Sequence, residues 1–393
     1  MYEFADRVKN LQPSAIREIF KFASDPTVIS LAAGNPAVEA FPAWEVAEIT
    51  AAIMRDNPID ALQYSVTEGY PKLRQRLKAF MSERFDSFKD GDELIITAGA
   101  QQVMELSAKA LCNEGDTIIC ESPSFIGSLN SFRSYNVNLC GIPMENDGIN
   151  VEKLEAALKT EKNVRFIYVI PNFQNPSGVC MSWEKRKAVY ALAKKYGTLV
   201  LEDNPYGDIR VEGESVPTIK SLDEDGIVIY AGSFSKVLAP GLRVGYCIAP
   251  SPVCAKIIVC KQTQDVHTNI LAQIIADKFM SDYDFDAHIE KIRGIYRTRL
   301  NLMHDLLKEY MPPNIVWQKP QGGLFFWCDF PASDSLRFAK AAIGHKVAIV
   351  PGNAFLVDEA QACSAFRLNF STPTAEKMAE GIEILGKAVK EYA

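Results

Sequence analysis

Short runs of apolar residues recur through the middle of the chain, separated by segments whose apolar residues have helical spacing. The runs are almost continuously apolar, which is typical of strands buried on both faces of a mainly parallel sheet. Helices between such strands cover the sheet on both sides, so the pattern predicts an α/β fold. The seven predicted strands are residues 93–97, 117–120, 138–143, 164–170, 198–201, 227–230 and 244–249.

The pattern changes beyond Asp284, where one long helical segment precedes short strands and helices. We therefore predict a large domain of residues 46–284 and a small α+β domain, formed by residues 285–393 together with the N-terminal segment 1–45. Helix signals include Pro71 at a first helical position and Gly197 after a last one. Predicted helices include 72–85, 183–196, 285–310 and 333–344 and one behind Ser14, and predicted strands of the small domain include 347–350 and 366–370.

Composition excludes several classes of function. The 393 residues carry a formal net charge of −7 without a cluster of Lys and Arg, which argues against nucleic acid as a partner. Nine scattered cysteines and four dispersed histidines favour neither a disulfide framework nor a metal site. No apolar run is long enough for a membrane span, and the first ten residues are charged, so we expect a cytoplasmic protein without a membrane partner.

A lysine with polar neighbours lies in segment 230–246, between two predicted strands. Lys236 follows Ser233 and Ser235, and Arg243 comes seven residues later. A lone lysine at such a turn is ordinarily a solvated loop residue. Hydroxyls, a guanidinium group and free backbone N–H groups are, however, the donors that bind phosphate. A lysine amine beside a phosphate site indicates covalent attachment of a phosphorylated aldehyde, which is pyridoxal phosphate chemistry.

Ser-Phe-Ser-Lys at 233–236 and Pro-Gly-Leu-Arg-Val-Gly-Tyr at 240–246 resemble the cofactor-lysine segment of class I and II aminotransferases, which are fold type I pyridoxal phosphate enzymes. Ser-x-Ile-Arg-Glu-Ile at 14–19 resembles the aminoadipate, kynurenine and aromatic aminotransferase subgroup. The resemblance implies transfer of an amino group from an L-amino acid (aminoadipate, aromatic or broad range) to a 2-oxo acid such as 2-oxoglutarate. It also implies a homodimer with shared active sites.

Three residues are implied to carry the catalysis. Lys236 would hold the cofactor and move a proton. Asp203 would pair with the protonated ring nitrogen and Tyr206 would contact the ring oxygen, as would Asn175. From the residues alone, a carboxylate that closes an apolar strand is more often bonded to nearby backbone. Glu202 is adjacent, but the family's Asp-x-x-Tyr pattern favours Asp203.

The resemblance assigns further cofactor contacts besides Ser233, Ser235 and Arg243. Gly99, Ala100 and Gln101 lie at a strand-to-helix junction, where backbone donors favour phosphate, although most tight junctions of this kind contain glycine. Phe125 would stack on the ring, whereas composition alone indicates a core residue. Tyr64 would reach the phosphate of the partner subunit.

Substrate contacts are implied for Arg367, Asn175, Gly34 and Arg17. An arginine inside an apolar strand needs an anion, and from the residues alone we favour an internal ion pair. The family's Phe-Arg-x-x-Phe segment, matched here at 366–370, implies instead that Arg367 binds the substrate α-carboxylate. Gly34 belongs to a Gly-x-Pro loop that would close over the substrate. Arg17 is either a helix surface charge or a contact to the substrate side chain.

Two alternative functions share the scaffold. A carbon–sulfur β-lyase has most of the same site. A cofactor-sensing module of a transcriptional regulator carries a basic winged-helix segment in front, whereas this acidic chain enters its enzyme-like region within about fifteen residues.

Overall fold

The computed structural model describes residues 2–9, 25–331 and 333–392. The predicted helix behind Ser14 lies outside these ranges. The α-helices are Asp6–Lys9, Ala43–Asp56, Pro58–Leu62, Pro71–Phe85, Ala100–Leu111, Ile126–Arg133, Val151–Thr160, Trp183–Tyr196, Ser251–Gln262, Ile270–Asp282, Phe285–Tyr310, Ser335–Gly344 and Ala375–Tyr392. The strands are β1 Ile29–Ser30, β2 Asp92–Thr97, β3 Thr117–Ser122, β4 Asn138–Glu145, β5 Gly148–Ile149, β6 Val164–Val169, β7 Leu199–Asp203, β8 Val228–Ser233, β9 Gly245–Pro250, β10 Val316–Trp317, β11 Phe325–Asp329, β12 Val347–Ala348, β13 Val350–Pro351 and β14 Ala365–Asn369.

The large sheet has the strand order β2-β9-β8-β7-β6-β3-β4-β5. Strand β9 is antiparallel to both of its neighbours, β2 and β8, and β5 is antiparallel to β4. The other neighbouring strands are parallel. The prediction of an α/β fold with a mainly parallel sheet is confirmed. All seven predicted strands are present, and the eighth, β5, has only two residues, too few to give a pattern.

The central strands are buried on both faces, which explains their continuous apolar sequence. Along β6, Phe166 and Tyr168 belong to the larger core cluster, and Ile167 and Val169 belong to the cluster on the other face. This alternation follows from the two-residue repeat of a strand. The helix Trp183–Tyr196, which packs on the second face, begins where Ser182 accepts the Lys185 N–H and ends at Gly197 with φ +66°. Its bounds were predicted.

A second sheet has the order β10-β11-β14-β13 and is antiparallel throughout. The long helix Phe285–Tyr310, with the predicted bounds, precedes it and is capped by the Asp284 side chain. The predicted strand 347–350 is instead two short strands. The chain changes partner there, because β12 pairs with β1 whereas β13 pairs with β14. In the part of the chain described, no helix has the length and apolarity of a membrane span.

Candidate active site

A cavity of about 640 Å³ opens at the edge of the large sheet where its parallel strands end. Residues that follow several different strands meet at such an edge, which is where ligands bind in open α/β sheets. Most residues predicted for the site line this cavity together. They are Gly34, Ala100, Gln101, Phe125, Asn175, Asp203, Tyr206, Ser233, Ser235, Lys236, Arg243 and Arg367.

Lys236 lies in the turn after β8, with its amine in the cavity. Its Nζ donates a hydrogen bond to the carbonyl oxygen of Gly34 at 2.9 Å. Burial lowers the pKa of Lys236 to about 8, and the positive charges of Arg367 and Arg243 act in the same direction. An amine with this pKa is partly neutral at physiological pH, so it can act as a nucleophile or as a base.

Hydroxyl groups, a guanidinium group and a helix N-terminus form one wall of the cavity. The Ser233 and Ser235 hydroxyl oxygens lie 2.9 Å apart. Arg243 donates to the Ala98 carbonyl oxygen at 3.2 Å. Gly99 precedes the helix Ala100–Leu111 with φ +80°, and a Cβ atom there would lie 2.5 Å from Arg243 Nη2, so this position requires glycine. The wall has the donors that a phosphate group needs.

Gln101 contributes to this wall through its backbone. Its side-chain amide donates to the Gly127 carbonyl oxygen at 2.8 Å and to Ser131 Oγ at 2.6 Å. Those bonds occupy the side chain, whereas the backbone N–H lies in the first turn of its helix and is free of an intrahelical partner there.

Asp203 ends strand β7 and is buried. Its Oδ2 accepts a hydrogen bond from the Tyr168 hydroxyl at 2.8 Å, whereas its Oδ1 has no hydrogen-bond partner among the described residues. Burial raises the pKa of Asp203 to about 7, and the hydrogen bond from Tyr168 opposes this shift. An unpartnered buried carboxylate oxygen is costly unless a donor is supplied, and a protonated ring nitrogen is such a donor.

Tyr206 and Asn175 connect this end of the cavity to Arg367. The Tyr206 ring packs edge-on against Phe325, with ring centroids 6.2 Å apart. Burial raises the pKa of Tyr206, while the Arg367 charge and a hydrogen bond with Asn175 oppose the shift. Tyr206 is therefore a neutral phenol at physiological pH, able to donate its proton to an anionic oxygen.

Arg367 lies on β14 with only 4% of its surface exposed. Its Nη1 donates to Asn175 Oδ1 and its Nη2 to the Ala32 carbonyl oxygen, both at 2.8 Å, while Nε has no partner among the described residues. The guanidinium carbon lies 4.1 Å from the Phe325 ring centroid and 4.9 Å from that of Phe355. No carboxylate of the described residues is within salt-bridge distance, so the internal ion pair favoured from the residues alone is absent there. A buried cation in this position suits an anionic ligand.

Of the predicted residues that the structure describes, Gly99 and Tyr64 do not line the cavity itself, although Gly99 adjoins Arg243 of its wall. Tyr64 is 81% exposed and contacts the His267 ring edge-on at 5.9 Å. Arg17 lies outside the described residues.

Sequence reasoning missed three buried polar residues at or next to the cavity, namely Tyr168, Ser128 and Glu121. Tyr168 contacts both Asp203 and Ser128, and its hydroxyl lies 2.8 Å from Ser128 Oγ. Glu121 is the last residue but one of the buried strand β3, and burial raises its pKa to about 8. The same signal, a carboxylate closing an apolar strand, could have identified Glu121. Tyr168 has no such signal, because a tyrosine within an apolar strand is indistinguishable from a core aromatic residue.

Comparisons with known proteins identify the family of the chain. The sequence model of the family described as "Aminotransferase class I and II" matches residues 26–385. Aromatic-amino-acid aminotransferase 1 of Thermococcus litoralis is 39% identical, over 99% of this chain and 94% of its own. The 2-aminoadipate transaminase of Thermus thermophilus is 34% identical, over 98% and 96%. The crystal structure of Pyrococcus horikoshii kynurenine aminotransferase in complex with PMP is similar with a TM-score of 0.95 and 36% identity, over 99% and 97% of the two chains.

Proposed function

This chain belongs to the class I and II aminotransferase family and is a pyridoxal-phosphate-dependent aminotransferase, and on that premise we propose how its residues divide the reaction. Bound pyridoxal phosphate supplies an electron sink for negative charge that develops at the substrate α-carbon. Ser233, Ser235, Arg243 and the backbone of Gly99, Ala100 and Gln101 hold the phosphate, and Phe125 stacks on the ring. The donor groups of this wall support the assignment.

Asp203 pairs with the ring nitrogen through Oδ1, the oxygen that has no partner among the described residues. Its negative charge keeps that nitrogen protonated, since an adjacent opposite charge favours the charged form. Tyr206 and Asn175 contact the ring oxygen. All three side chains line one cavity, which supports these roles.

Lys236 would hold the cofactor covalently, and its amine, when free, would take a proton at Nζ from the substrate α-carbon and later release it. A base is most effective when its pKa lies near the working pH, and the value of about 8 meets this condition. Reversal of the same steps with a second 2-oxo acid completes the transfer.

Arg367 binds the substrate α-carboxylate together with Asn175. The observation that carries this proposal is a buried guanidinium group without a carboxylate partner among the described residues, in the same cavity as Lys236. Gly34, whose carbonyl oxygen accepts a hydrogen bond from Lys236, lies in the loop that closes over the bound substrate in this proposal. We propose aminoadipate, aromatic or a broad range of L-amino acids as donors and 2-oxoglutarate as an acceptor, supported by the names of the relatives. Arg17 as a contact to the substrate side chain is part of the same proposal.

Replacement of Lys236 by alanine tests the function. With a panel of amino acids and 2-oxoglutarate, we expect Lys236→Ala to lose turnover, and borohydride reduction to fix the cofactor to the wild-type chain alone. Lys256→Ala, at an exposed lysine, is the matched control. Full turnover and an unchanged cofactor absorption band in Lys236→Ala would refute the assignment. Release of pyruvate or ammonia without an oxo-acid acceptor would identify a β-lyase instead.

We also propose a homodimer that shares its active sites. Large apolar side chains are exposed in segment 38–66, among them Trp44, Ile59, Leu62 and Tyr64. Contiguous exposed apolar surface marks an interaction site, and a second copy of the chain would cover it. Tyr64 would then contact the cofactor phosphate of the partner.

Complementation tests the shared site. The Lys236→Ala and Tyr64→Ala homodimers are each expected to have impaired activity. A dimer with one subunit of each variant contains one site in which both residues are native. Random reassortment should restore roughly a quarter of the wild-type activity. A mixture no more active than its two components would contradict sharing.

Location and domain boundaries belong to the same proposal. We propose a cytoplasmic enzyme, supported by nine free thiols. We propose residues 46–284 as the large domain, and residues 1–45 with 285–393 as the small one. The separation in sequence of the eight-stranded sheet from the four-stranded sheet supports this division.

A further inference from the structure

Two hydroxyl groups are linked in sequence to Oδ2 of Asp203, whereas its other oxygen, Oδ1, has no partner among the described residues. Tyr168 is on β6, which pairs with β7, the strand that ends at Asp203. Its side chain is fully buried, and its hydroxyl is 2.8 Å from Asp203 Oδ2 and 2.8 Å from Ser128 Oγ. Ser128, in the helix Ile126–Arg133, is also fully buried.

The direction of these hydrogen bonds follows from the number of protons. A tyrosine hydroxyl has one proton to donate, and an ionised carboxylate only accepts. Tyr168 therefore donates to Asp203, and the Ser128 hydroxyl must donate to Tyr168. The two donors form a chain that ends on one oxygen of the carboxylate.

We propose that Tyr168, supported by Ser128, is a positioning residue. Its hydrogen bond to Oδ2 of Asp203 fixes the orientation of the carboxylate and so directs Oδ1 to the ring nitrogen of the cofactor. The inference rests on the proposed role of Asp203 and adds to it. A carboxylate that could rotate, or that was protonated, would hold the nitrogen less well. Buried networks of this kind fix a single geometry when every member has a partner.

The charge of Asp203 depends on the same bond. Burial favours the neutral carboxyl, and the hydrogen bond from Tyr168 favours the ionised one. Besides Tyr168, the titratable groups of the described residues that interact with Asp203 are Glu121 and Tyr206. Burial raises the pKa of both, so both are largely neutral at pH 7 and neither supplies a charge to Asp203. Loss of the Tyr168 hydroxyl should therefore raise the pKa of Asp203 and move the acid limb of the activity profile to higher pH.

Tyr168→Phe in the holoenzyme tests the inference. We expect kcat to fall about 10- to 100-fold, as for loss of a hydrogen bond to a charged group. The dissociation constant of pyridoxal phosphate, measured by fluorescence, should rise about 10-fold, and the acid limb of the kcat profile should move up in pH. Tyr246→Phe is the matched control, because this tyrosine is also buried but its hydroxyl donates to the Met81 sulfur.

A double-mutant cycle separates positioning from packing. If Tyr168 acts through the Asp203 carboxylate, adding Tyr168→Phe to the Asp203→Asn variant should lower kcat by about threefold or less. A full additional loss there would overturn the inference. Ser128→Ala gives an independent test should Tyr168→Phe not fold, and we expect a change of about two- to fivefold in the same three readouts.

The outcomes distinguish the two proposals. A wild-type chain that binds no pyridoxal phosphate and transfers no amino group would overturn the proposed function. A second outcome would overturn only the role of Tyr168. In that outcome the wild-type enzyme is active, and Tyr168→Phe and Ser128→Ala do not differ from Tyr246→Phe in cofactor affinity, in kcat or in the acid limb of the kcat profile.

Discussion

Replacement of Arg367 by lysine keeps the charge but changes the shape of the cation. A guanidinium group has five N–H donors, of which Asn175 and the Ala32 carbonyl oxygen each take one. Three donors remain, including the unpartnered Nε–H. The rings of Phe325 and Phe355 hold the group in place. The remaining N–H donors of the guanidinium group are therefore already positioned to bind the two oxygens of a substrate carboxylate.

A lysine side chain offers a compact ammonium group without the planar fork. The change removes one charge-assisted hydrogen bond, about 1.5–3 kcal/mol, and weakens the contact with the rings, about 0.5–1 kcal/mol. We expect Arg367→Lys to lose about 2–4 kcal/mol of transition-state stabilisation, a fall of about 30- to 1000-fold in kcat/KM.

Steady-state kinetics with an amino acid and 2-oxoglutarate measure this loss, and titration of the apoenzyme with pyridoxal phosphate measures cofactor affinity, which should not change. Arg297→Lys is the control, because Arg297 also donates to a backbone carbonyl oxygen, that of Val211, but is exposed and lies outside the cavity wall. A value of kcat/KM within about threefold of the wild type would refute the reasoning. A parallel loss of cofactor affinity would also refute it, since Arg367 would then act on the cofactor.

Two further predictions concern buried lysines. The neutral amine is the reactive form, so covalent uptake of pyridoxal phosphate by Lys236 in the apoenzyme should accelerate with pH up to about 8 and then level off; stopped-flow absorbance that keeps rising to pH 10 would contradict this. Lys220 lies within 2.8 Å of the carboxylates of Asp92 and Asp223, and all three side chains are buried. Lys220→Ala should lower the free energy of unfolding in urea by about 3–5 kcal/mol, whereas Lys187→Ala at an exposed pair should change it by at most about 0.5 kcal/mol.

The large sheet was predictable because its signal is local. Each central strand is a continuous apolar run, and two of the long helices have side-chain caps that the sequence shows, Ser182 for Trp183–Tyr196 and Asp284 for Phe285–Tyr310. The lysine segment was equally accessible, since its serines and arginine are close in sequence. The two-residue strand Gly148–Ile149 was not, because its only signal is its pairing with β4.

Residues whose partners are distant in sequence were harder to interpret. Tyr168 and Asp203 are 35 residues apart and meet only because their strands are neighbours. The surroundings of Arg367 come from segments 192 and 335 residues away, so the absence of a nearby carboxylate among the described residues could not be predicted. Without the family resemblance, the residues favoured a protein carboxylate as the partner of this cation, and the described residues supply none within salt-bridge distance.

The antiparallel strand β9 has a consequence for the order of folding. Its neighbour β2 is made early in synthesis, yet the two can pair only after nearly the whole large sheet has left the ribosome. Contacts between distant segments form late, because closing a long loop is entropically costly. This pairing brings Gly99, just after β2, beside Arg243, just before β9. The phosphate wall is thus completed only when this long-range pair forms, and the cofactor can stabilise only chains in which β2 and β9 have paired.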